Sequence, residues 1–90
     1  MAKAIVDPAE LRRFAQMLKR FNATLQDEMG ALRGQMHALG NTWRDQEHHK
    51  FIEAFEQQID ILNRSIKATD EHVPFLLRKA ERIEQYLQQK

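Results

Sequence analysis

Three observations predict an all-α fold in which two long helices fold back on one another as an antiparallel hairpin. Apolar residues recur every third or fourth position through two segments of about 32 and 43 residues, the periodicity of amphipathic helices. Between them, Gly40-Asn41-Thr42-Trp43-Arg44-Asp45 holds residues that stop one helix and start another. With only 3 Gly and 2 Pro, the chain of 90 residues has too few turns for a sandwich or barrel, which need a turn signal every ~8–12 residues. Residues 1–90 read as a single helical-hairpin domain.

The elements follow in order. Residues 1–6 carry no cap and read as frayed. Asp7-Pro8-Ala9-Glu10 is a helix start, with Asp at the N-cap, Pro at the first helical position and Glu at the third. The first helix is expected over about 8–39. Leu11, Phe14, Leu18, Phe21, Leu25, Met29, Leu32, Met36 and Leu39 fall within an arc of roughly 80° at ~100° per residue, and Trp43 would continue it. Arg12, Arg13, Lys19, Arg20, Gln26, Asp27 and Arg33 form the solvated back; Gly30 and Gly34 point away from the stripe and mark a soft spot.

The turn is placed at 40–45. Gly40 and Asn41 tolerate left-handed backbone angles and close the first helix, and Asn41 and Thr42 are expected to accept amides at the start of the next. Asp45, Glu47 and Glu53 put negative charge where the helix dipole favours it. The second helix is expected over about 46–88. Its stripe, Phe51, Phe55, Ile59, Leu62, Ile66, Thr69, Val73, Leu76, Leu77, Ala80, Ile83 and Leu87, is wider, roughly 120°, with Ile61 on its edge. Pro74 removes a hydrogen bond to the carbonyl of Asp70, so a kink is expected there; the apolar phase continues across it.

At 1.5 Å per residue the helices are ~48 and ~64 Å long, lengths typical of coiled coils and bundles. Two helices alone shield only part of each other's stripe. The simplest cover is a second copy, giving a homodimer that forms a four-helix bundle. Charge suggests the orientation. The open end, residues 1–22 and 62–90, holds 11 Lys and Arg against 6 Asp and Glu, a net of +5; residues 23–61 hold 3 against 7, a net of −4. An antiparallel pair sets unlike ends together.

Composition excludes several function classes. The chain has no Cys, hence no disulfide, thiol nucleophile or cysteine zinc site. Lys plus Arg is 14 against 13 Asp plus Glu, so no overall charge draws it to nucleic acid or anionic lipid. No stretch approaches the ~18 apolar residues of a membrane span, and Met1-Ala2-Lys3-Ala4-Ile5-Val6 is too short for a signal-peptide core. The expected location is the cytoplasm, or outside it by a route that needs no classical signal peptide.

The length, the two helices, the Asp7-Pro8 start, Trp43 at the turn and Phe51/Phe55 after it resemble the WXG family of small hairpin proteins linked to type VII secretion. The family is named for a Trp-X-Gly turn, here the Trp43-Arg44-Asp45 variant, with Asp in the Gly position. Its C-terminal export pattern, a Tyr followed four residues later by an acid, is here Tyr86-Leu87-Gln88-Gln89-Lys90. The resemblance implies a dimer that accompanies a secreted or larger helical partner. Lys90 in place of the acid predicts that the chain carries no working export signal of its own.

Candidate chemistry is thin. His48 and His49 with Glu47, Glu53 and His37 could be drawn as a metal cluster, since His49 and Glu53 share a helix face; the plainer reading is solvated polar residues with no metal. Exposed carboxylates such as Glu53 and Glu56 have no pocket to raise a pKa, so neither an enzyme nor a cofactor is expected. Arg12-Arg13 and Arg78-Lys79-Arg82 could meet an acidic partner, although in sequence they alternate with acids and read as solvated face. Trp43 reads first as a plug between the converging stripes, and alternatively, with Arg44 and Asp45, as part of a partner surface. Two functions remain open: a secretion-associated dimeric adaptor, and an intracellular coiled-coil adaptor without export.

Overall fold

The computed structural model describes residues 6–89 and forms a rod of 69 × 19 × 17 Å. It contains two helices, α1 (Pro8–Leu39) and α2 (Gln46–Gln88), packed as an antiparallel hairpin. Of residues 1–6, read from the sequence as frayed, 1–5 lie outside the described residues; Val6 is exposed and precedes the helix. Asp7 caps α1 in extended geometry, its Oδ1 accepting the Ala9 N–H at 2.9 Å, with Pro8 following in the first turn, where a missing N–H costs nothing. Asp45 caps α2 in the same way, its Oδ1 accepting the His48 N–H at 3.1 Å. The described α2 is one unbroken helix through Pro74.

The seam between the helices follows a strict step of seven. Ala15, Asn22, Met29 and Met36 are the buried residues of α1; Ile59, Ile66, Val73 and Ala80 line α2, joined at its start by His48. Met29, Ile59 and Ile66 form the central cluster, with Leu25 and Phe55 packed against it. A step of seven keeps one line of residues facing a partner helix along the whole rod. Near the open end the seam narrows to Ala15 and Ala80, both fully buried.

This seam is rotated from the stripe expected for α1. Leu11, Leu18 and Leu25 are only half-buried, while Phe14, Phe21 and Leu32 are exposed. In α2, Ile59, Ile66 and Val73 are buried, Phe55, Leu76 and Ile83 half-buried, and Phe51 and Leu62 exposed. Close approach on small residues occurs only where Ala15 and Ala80 are fully buried; elsewhere Met29, Met36, Ile59, Ile66 and Val73 fill the seam, and the phenylalanines of α1 lie beside it.

Candidate interaction surface

The turn is built from tight hydrogen-bonded loops and not from a left-handed glycine. Gly40 has φ −61° and ψ −17°, an ordinary right-handed conformation, and no described residue has positive φ. The amides of Gly40, Asn41 and Thr42 donate to the carbonyls of His37, Ala38 and Leu39, and Trp43 N–H donates to Leu39 at 2.8 Å. Space at Gly40 is tight: a Cβ there would stand 3.2 Å from the His37 carbonyl oxygen, which would have to give by a few tenths of an ångström, and 3.6 Å from His48 Cε1, an ordinary contact. Capping of α2 falls to Asp45; Thr42 instead turns back, its Oγ1 donating to Leu39 O at 3.5 Å. Arg44 is exposed, and its Nε donates to the Gly40 carbonyl at 3.2 Å, bracing the loop.

Trp43 is half-buried over the start of α2. Its ring meets His48 edge-on at 4.9 Å and lies 5.8 Å from Phe51, which stacks on Phe55 at 6.2 Å. His48 is thus buried and not solvated, the reverse of the sequence expectation, and its Nε2 has no hydrogen-bond partner among the described residues. His49 is exposed beside it. Among the described residues no three His, Cys, Asp or Glu side chains come together around a single point that could hold a metal ion.

The hairpin has two unlike flanks. On one, polar pairs cross the seam: Arg12 with Glu84 at 2.7 Å, Arg33 with Glu56 at 2.7 Å, and Asn22 Nδ2 donating to Asp70 at 2.7 Å. Glu56, Asp70 and Glu84 are spaced fourteen apart, two steps of the seam repeat, so they lie on one line. The hydrogen bond from Arg33 holds Glu56 below its ordinary carboxylate value, and that from Arg12 does the same for Glu84, each against a smaller opposing effect of burial. All four partners of the two ion pairs remain open to solvent, so each pair adds little stability.

The other flank is apolar. Leu25, Leu32, Phe55 and Leu62 line a shallow open groove of about 350 Å³ along it, floored by Met29 and Ile59. Phe14 and Phe21 continue this line along α1 toward the open end, Leu39 toward the turn, and Phe51 does so on α2. Phe21 is 61% exposed and Leu32 53% exposed. Tyr86 stands exposed near the end of α2, and Lys90, the other half of the export-like pattern, lies outside the described residues.

The described chain is thus a helical hairpin closed by a tryptophan turn, with one flank polar and the other apolar. The chain belongs to the WXG100 family, described as "Proteins of 100 residues with WXG", whose pattern matches residues 4–89. Its fold is similar to crystal structures of EsxB, a secreted protein from Bacillus anthracis str. Sterne. A glycine-to-alanine mutant of EsxB is 25% identical with a TM-score of 0.80, over 93% of this chain and 97% of that one. The selenomethionine-labelled EsxB structure is 24% identical with a TM-score of 0.80, over 96% of this chain and 98% of that one. No curated protein matches the sequence.

Proposed function

We propose that this protein is a non-enzymatic, secretion-associated adaptor that works as an antiparallel homodimer. The apolar flank carries this reading. Phe14, Phe21, Leu32, Leu39, Phe51 and Leu62 share one face and are exposed in the isolated hairpin, which buries only seven hydrophobic residues among those described. An apolar face of this length on a thin rod is the surface that a second hairpin covers in a four-helix bundle. The +5 and −4 ends favour the antiparallel arrangement, in which unlike ends meet. The secretion-associated role is supported by the family and by EsxB being a secreted protein. No described helix is long and apolar enough to cross a membrane.

Sedimentation equilibrium at micromolar concentration is expected to give twice the chain mass of 10.7 kDa, and Phe21→Asp with Leu32→Asp to halve it while far-UV helicity persists. A monomer mass for the unaltered chain would refute the dimer. A disulfide between the turns of two Asp45→Cys chains would refute the antiparallel order, because that packing holds the turns at opposite ends of a 69 Å rod.

A further inference from the structure

Along the outer side of α2, away from α1, five residues fall in one arc: Phe75, Arg78, Lys79, Arg82 and Tyr86. At ~100° per residue they span roughly 100°, centred opposite the seam residues Ile66, Val73 and Ala80. The run is about 16 Å long at 1.5 Å per residue. Phe75 is 51% exposed and Tyr86 70% exposed, and Arg78 and Arg82 are exposed between them.

In sequence these cations alternate with Glu81 and Glu84, which makes them look neutralised. The fold takes Glu84 away from them. Glu84 points across the seam and is held by both Arg12 Nε and Arg12 Nη2; Glu81 stays beside the arc, lining one shallow groove with Arg78, Arg82 and Gln85 but making no ion pair with them among the described residues. None of Arg78, Lys79 and Arg82 takes part in an ion pair among the described residues, whereas Arg64, one stretch earlier on α2, is paired with Asp60 at 3.0 Å. The nearest acid along the arc is Glu71, about one turn before Phe75. The result is a ridge of two exposed arginines and the half-buried Lys79, none in an ion pair among the described residues, bracketed by two exposed aromatic rings; Arg and Tyr are enriched in interface hot spots.

We infer that this ridge docks an acidic amphipathic helix of a partner protein, a surface distinct from the apolar flank assigned to the dimer. A helical partner suits a ridge along one face of a helix: an apolar position receives Phe75, while carboxylates three and four residues apart meet Arg78 and Arg82, which bind carboxylates bidentately. A lipid surface or a nucleic acid fits less well. Each needs a broad positive field, and here the +5 of the open end is interleaved with six acids and offset by the −4 of the turn end on a chain of net +1.

The test uses two labelled synthetic helices of three heptads with Leu at the seam positions, one with Glu and one with Lys on the flanks, titrated with the full chain and followed by fluorescence anisotropy. The Glu helix is expected to bind at least about tenfold tighter than the Lys helix at low salt, with the preference shrinking at high salt. Phe75→Ser, and Arg78→Gln with Arg82→Gln, should each weaken Glu-helix binding by about tenfold or more without changing the sedimentation mass. Phe21→Asp with Leu32→Asp, which disrupts the proposed dimer face, should leave that binding intact. Equal binding of both helices, or loss of binding only in the Phe21→Asp/Leu32→Asp chain, would overturn the proposal. So would equally strong, ridge-dependent binding to phosphatidylglycerol vesicles or duplex DNA, because the ridge would then read anionic surfaces in general. Because the dimer is read out separately by mass, failure of the ridge and failure of the dimer are distinguishable.

Discussion

Asn22 is the one polar side chain in the α1 part of the seam, 4% exposed, one step of seven from Ala15 and from Met29. Its amide donates to the Asp70 carboxylate at 2.7 Å, and Asp70 itself stays exposed. The two ends of this hydrogen bond are therefore unequal. Asp70→Ala strands a buried donor, at a cost of about 1–3 kcal/mol. Asn22→Leu removes the buried polar group, fills the seam, and leaves a carboxylate that water can solvate; the expected change is near zero or stabilising. In the Asn22→Leu background, Asp70→Ala should then cost nothing measurable, so the double-mutant cycle carries nearly the whole effect as coupling. The assay is urea unfolding followed by circular dichroism at one fixed protein concentration, since a dimer's stability depends on concentration. For a domain of this size, each kcal/mol corresponds to roughly 4–8 °C in Tm. Equal losses for Asn22→Leu and Asp70→Ala would refute the reasoning, as would an undiminished cost of Asp70→Ala in the Asn22→Leu background.

Three further outcomes are expected. Trp43→Ala should lower stability by about 2–4 kcal/mol, because it uncovers His48 and Phe51; unchanged melting with lost partner binding would move Trp43 to the recognition surface. Glu56 and Glu84 sit below their ordinary value of 4.5 in the folded chain, so their contribution is present above that value and is lost as pH falls through their lowered folded values. Thermal melts should accordingly be flat from neutral pH to about 5 and decline below it, and less steeply in Arg12→Gln with Arg33→Gln; a steeper decline in that variant would contradict the assignment. Expressed alone in a host with an active type VII system, the chain should stay in the cells and reach the medium only after Lys90→Glu, because a site built for a carboxylate rejects an ammonium. Secretion of the unaltered chain, assayed by immunoblot of the medium, would refute this.

Local chemistry made the two helices legible in the sequence. Asp7-Pro8 and Asp45 satisfy the free amides of a helix start, and the periodicity of three and four runs unbroken through both segments, so helix type and extent need no partner to define them. Trp43 at the turn, with the Asp7-Pro8 start and Phe51/Phe55, likewise carried the family resemblance. Which line of each stripe would face the other helix was decided only in three dimensions. An 80° arc of leucines, phenylalanines and methionines is compatible with several rotations, and contact with α2 selected the line Ala15, Asn22, Met29 and Met36, which a step of seven keeps facing the partner helix. That rotation left Phe14, Phe21 and Leu32 outside as an apolar flank. The burial of His48 under Trp43 was likewise hidden, since a His-His pair at a helix start gives no periodic signal until the loop folds over it. The pairing of Glu84 was hidden too: in sequence, Arg78, Lys79 and Arg82 stand among acids, and the folded hairpin shows Arg12 engaging Glu84 across the seam while Glu81 stays beside Arg78 and Arg82.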